Sequence, residues 1–171
     1  QLPIPMVKTA AGWQFDTARA ADEILTRTLG RNELSAITAL QAYADAQQDY
    51  FALNQHYALK LISSEGKKDG LYWPVSSGEA PSPLGPAFSP RAPGEGYHGY
   101  RFRLLTADAQ GDNARAALLA WPVEYGKTGV TTFVIDGQDR IYQQDFGAQT
   151  AQKVEGITQF MPDQTWQPVQ P

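Results

Sequence analysis

Cysteine is absent from this 171-residue chain, which excludes structural disulfides, thiolate zinc sites and cysteine nucleophiles outright. The absence leaves the compartment open, because many periplasmic and secreted proteins also do without cysteine. Histidine is scarce. His56 and His98 are the only two, so a Ser-His-Asp triad has to use one of them, and no G-x-S-x-G elbow accompanies either. Basic runs are missing as well. With a formal net charge of −4, this argues against nucleic acid or an anionic membrane as the main partner. No apolar run approaches the roughly 18 residues that a spanning helix requires, so this piece neither spans nor enters a membrane by itself.

What is present describes a folded globular protein. Hydrophobic residues make up 42% of the chain and charged residues 19%, on the weakly charged side of normal. At this length about 70% of the unfolded chain's surface can be buried, so a core needs no metal or crosslink. The chain opens at Gln1 without Met, which reads as an excised fragment or a processed product.

Residues 1–16 hold two short extended pieces, PIPMVKT and GWQFD, separated by a turn at Ala10-Ala11-Gly12. Asp16 or Thr17 caps a helix whose Ala21, Ile24, Leu25 and Leu29 share a face, and Gly30 is expected to stop it. A second helix is expected from an Asn32 cap, with Glu33 in its first turn. Its stripe of Leu34, Ile37, Leu40, Tyr43, Ala46, Tyr50, Leu53, Tyr57 and Leu61 advances in steps of three or four. From Glu65 to Glu95 prolines and glycines dominate, interrupted by Leu71-Tyr72-Trp73-Pro74. Segment 76–96 is therefore a proline-rich loop, either a surface excursion or a binding lid.

The stretch from Tyr97 to Tyr142 alternates apolar, aromatic and polar residues between Gly and Asp-Gly signals, the pattern of an antiparallel meander. Residues 148–160 fit a short helix, stopped by Met161-Pro162, and TWQPVQP trails as an extended tail. Helices and strands are segregated along the chain, so the fold class is α+β: a long helix packed on an antiparallel sheet, with short flanking helices. The organisation is a hairpin and helix over 1–30, the remnant of an upstream region, followed by one domain over 31–171.

No motif carries a reaction. Gly126-Lys127-Thr128 has Trp121 where a phosphate-binding loop needs glycine, and it lies between strands rather than opening a helix. Asp136-Gly137-Gln138-Asp139 matches a hairpin turn and Asp108 to Asp112 a surface connection; neither is a calcium loop, and no cofactor motif is found. His56 falls within the long helix, near its end. Tyr97, His98 and Tyr100 form an aromatic-polar cluster at a loop-to-strand junction. Trp73, Tyr97, Tyr100 and Trp121, with Tyr125, either fill the core or line a groove under the proline-rich loop. Glu124, beside Trp121, is the best candidate carboxylate.

The blocks PIPMVKTAAGWQFDT, EILTRTLGRNELSAI, LQAYADAQQDY, DGLYWP, EAPSPLGP, YHGYRFRLL, ALLAWPVEYGKTGV, FVIDGQDRIYQQDFG and the closing TW-Q-PV follow in this order over nearly the whole chain. Together they resemble the bacterial domain of unknown function 2950 family. The resemblance implies envelope proteins made with signal peptides, often as lipoproteins, with a further N-terminal region. It supplies no catalytic residues. The layout of residues 33–145 also resembles the head of a type IV pilin or pseudopilin, without the apolar half-helix that polymerises such subunits. The expectation is a periplasmic or extracellular protein, lipid-anchored in a longer precursor. It is expected to be a non-enzymatic module that binds an envelope protein or a small ligand. The alternatives are a hydrolase-like enzyme using His98 with a nearby carboxylate, and a pilin-like structural subunit.

Overall fold

The computed structural model describes residues 4–86, 96–106 and 115–169. The centre of the proline-rich loop and the Asp108 to Asp112 connection lie outside these ranges. Strands β1 (Met6–Thr9) and β2 (Gly12–Phe15) pair as an antiparallel hairpin. Gly12, at a φ of 113°, permits the turn, and the Thr9 hydroxyl donates to the Gly12 carbonyl. Helix α1 (Thr17–Asn54) follows immediately. Its cap is Asp16, whose carboxylate accepts from the Arg19 amide at 3.1 Å.

α1 is one helix of 38 residues, about 57 Å long at 1.5 Å per residue, where two were expected. Gly30 does not stop it. A glycine inside a helix costs about 1 kcal/mol relative to alanine but keeps its N–H, and here the ladder continues through it. Asn32 does not cap and Glu33 does not sit in a first turn; both side chains turn to a distant loop. The helix also ends earlier than the stripe implies. Gln55 takes a left-handed conformation and its amide bonds back to the Phe51 carbonyl, so His56 lies beyond the helix. Tyr57 and Leu61 prolong the apparent period only because the next segment also packs inward. Buried Gln47 fixes that segment by donating to the Ala58 carbonyl and accepting from the Ala58 amide, both at 2.9 Å.

Five strands form the main sheet in the order β3 (Tyr100–Leu104), β4 (Leu118–Pro122), β5 (Thr132–Ile135), β6 (Ile141–Gln144) and β7 (Gln167–Pro168), all antiparallel. This is the α+β architecture expected, with the meander where alternation places it. The period of two sorts the side chains between faces. Tyr100, Phe102, Leu118, Ala120, Phe133 and Ile135 meet Ala36, Leu40, Tyr43 and Tyr50 of α1. Leu119, Trp121 and Val134 meet Val154, Phe146, Ile157, Phe160 and Trp166 on the other side. Within α1, Leu34 and Leu53 face outward despite their place in the stripe.

The helix expected over 148–160 is shorter. A 3₁₀ turn (Gly147–Gln149) leads into α2 (Thr150–Glu155), and the chain then leaves the helix. Arg103 donates to the Val154 and Ile157 carbonyls, and the Thr106 amide bonds to Thr158. These contacts tie the strand end to residues that would otherwise continue the helix.

Candidate interaction surface

The residues singled out from sequence do not gather into one site. Trp73 and Tyr100 are buried in the core between α1 and the sheet. Tyr100 is fully buried and its hydroxyl donates to the Thr131 carbonyl at 2.8 Å. Trp121 points to the opposite face, because it follows Ala120 in the strand, and the Arg103 guanidinium lies over its ring. Tyr97 is half-buried and pairs through its backbone with Tyr100. His98, at the tip of that turn, is exposed at a φ of 48° with its ring edge-on to Tyr97. Glu124 is exposed and ion-paired with Lys127 at 2.7 Å; that hydrogen bond holds its carboxyl below the usual carboxylate range.

Around His98 the structure builds a clamp. The Asn32 amide donates to the Thr128 carbonyl at 2.9 Å. The Glu33 carboxylate accepts from the Val130 and Thr131 amides at 3.0 and 3.2 Å. Nothing in this arrangement activates a nucleophile; it fastens α1 to the β4–β5 loop. Burial, with the Glu33 charge second, drives the Tyr100 phenol far above its ordinary range, so it serves as a hydrogen-bond donor throughout the physiological range.

One constellation has catalytic residue types. The Lys60 ammonium lies 2.7 Å from both the Ser64 hydroxyl and the Asp69 carboxylate. Hydrogen bonding from Lys60 and the Ser64 backbone holds Asp69 well below the carboxylate range. An ammonium engaged with a carboxylate supplies protons and does not remove one from Ser64, so the trio lacks a general base. It staples the 60–72 loop. Among the described residues, no group of three or more His, Asp or Glu is placed to hold a metal ion. An open cleft of about 280 Å³ is lined by Ile157, Thr158, Gln159, Phe160, Met161 and Trp166, at the lower limit for ligand pockets.

The feature that the packing leaves over is the N-terminal arm. Cross-strand register sets Met6 opposite Phe15 and Lys8 opposite Trp13, so these four share one face of the hairpin. Met6 is 52%, Trp13 65% and Phe15 53% exposed. Val7, on the other face, is half-buried. Ile24 and Leu25 of α1 are exposed as well. Single exposed apolar residues are ordinary, but several large ones on one hairpin face form a patch of the kind that marks an interaction site. The alternation Met6-x-Lys8 against Trp13-x-Phe15 carried this signal in the sequence. By default a strand's apolar side packs on the core, and here it is exposed instead.

A family model described as Protein of unknown function (DUF2950) matches residues 1–169, and the chain belongs to that family. No curated protein and no solved structure matches it.

Proposed function

We propose that this member of the DUF2950 family is a non-enzymatic binding or assembly module of the bacterial cell envelope, working in the periplasm or outside the cell. The observation that carries the reading is the hairpin face shared by Met6, Lys8, Trp13 and Phe15, whose three large apolar side chains are exposed. Aromatic side chains of this kind dominate the energetics of protein interfaces. Of the candidate aromatics, Trp73 in the segment after α1 and Tyr100 of β3 are buried in the core, which leaves the hairpin face as the exposed aromatic surface the reading draws on. The envelope location rests on the resemblance of the sequence blocks. No helix among the described residues is long and apolar enough to cross a membrane.

Co-purification from the bacterial envelope tests the reading. The native chain is compared with a Met6→Ser, Trp13→Ser, Phe15→Ser variant. An envelope component retained by the native chain and lost from the variant, at an unchanged melting temperature, is the expected result. The same component held equally by both chains contradicts it.

A second reading, a pilin-like structural subunit, draws on one further observation: the first third of α1 stands clear of the sheet. It expects self-association, and a strictly monomeric species at high concentration by light scattering rules it out.

A further inference from the structure

α1 is anchored very unevenly along its length. Of the described side chains over residues 17–27, Ala20 alone is buried. Over residues 36–50, Ala36, Leu40, Tyr43, Gln47 and Tyr50 are all buried. The change is spread over residues 28–36, from half-buried Thr28 and Leu29 to buried Ala36, and within it Gly30 is exposed and an added Cβ there would meet open space. Two residues later the clamp begins, with Asn32 on Thr128 and Glu33 on Val130 and Thr131. The weakest helix former in the whole element therefore sits two positions before the helix is fastened to the body.

The part beyond Gly30 is tied together locally. The Asp16 amide donates to the Pro5 carbonyl at 2.8 Å, and the Asp16 carboxylate caps the helix, so hairpin and helix start are joined at one residue. Among the described residues, few other contacts hold them. A lone two-stranded hairpin is marginal in water, and so is a helix of this length without tertiary packing. The Glu23–Arg27 pair is solvent-exposed and such pairs contribute only a few tenths of a kcal/mol. The Thr28 hydroxyl bonds back to the Ile24 carbonyl, a contact that often bends helices.

We infer that α1 is a jointed lever: residues 4–29 form a separate unit of low stability that pivots and unwinds about Gly30, while residues 32–54 stay clamped to the sheet. The pivot lets the apolar hairpin face change its orientation relative to the body. It stands independently of what that face binds.

Amide hydrogen exchange of the free protein tests it. Amides of residues 20–29 exchange at least roughly a hundredfold faster than those of residues 39–50, as separate opening units do. Gly30→Ala slows the first set by about fivefold, the effect of one glycine-to-alanine change in a helix, and leaves the second set unchanged. Gly30→Pro provides the complementary arm: it breaks the ladder at the pivot, and the melting temperature of the body is retained. Uniform protection along α1, an equal response of both halves to Gly30→Ala, or a body that melts early in Gly30→Pro each overturns the inference.

Discussion

Tyr100, one of the side chains that the sequence marks as a candidate site residue, ties several parts of this fold together. Its ring is fully buried against Phe133, and its hydroxyl bonds the Thr131 carbonyl. A Cβ on Gly129 would sit 2.2 Å from that same hydroxyl, so glycine is required there for the close approach. Glu33 binds the next amides from the helix side. Tyr100→Phe keeps the packing and leaves the Thr131 carbonyl without its partner. The expected cost is about 1–3 kcal/mol, read from chemical denaturation; an unchanged midpoint would show that water replaces the bond. Tyr43 makes a parallel case. It donates to the Ala116 carbonyl at 2.6 Å, and burial pushes its phenol up to about 12. A pKa raised on folding means that the ionised form is disfavoured in the native state. The stabilisation is therefore complete below the unfolded value of about 10 and is lost as pH rises from there through about 12. Stability should fall across that window, and Tyr43→Phe, though less stable at neutral pH, should show a flatter alkaline limb.

At the scale of elements, what was legible in the sequence depended on how local its cause was. Asp16 as cap, the turn before Gly12 and the alternation of β3 to β6 all follow from neighbours in the chain, and the structure has them. The ends of α1 do not follow from neighbours. Gly30 looks like a stop, and nothing local says that the helix continues through it. Asn32 and Glu33 look like capping residues, yet their partners lie about a hundred positions away on the β4–β5 loop. The other end depends on Gln47, which bonds Ala58 on both sides of its amide group and also donates to the Tyr43 hydroxyl. Gln47→Ala removes all three bonds from a fully buried position. It should cost about 2 kcal/mol or more, measured by urea denaturation, and should raise amide exchange selectively across residues 55–62.

At the scale of the whole molecule, the described residues comprise a well-packed body and an N-terminal arm whose side chains are mostly exposed. The body has helix, sheet and C-terminal segment in three layers, with a cluster of buried residues on each side of the sheet. Trp73 packs on the α1 side of the sheet and half-buried Trp121 on the other, so among the described residues the two share no surface. The candidate interaction surface was half legible. Its residues have the pattern of a hairpin, but the exposure of the aromatic face depends on where the other described elements pack, which no local pattern encodes.

Site-specific photocrosslinking in the native bacterium tests the central claim most directly, with a photoreactive side chain placed in turn at Trp13, Phe15 and Gln14. Trp13 and Phe15 lie on the exposed apolar face and Gln14 on the other. The account predicts a discrete light-dependent adduct from positions 13 and 15 and none from position 14. Equal adducts from all three positions, or none from any while the protein is folded and correctly located, would contradict it.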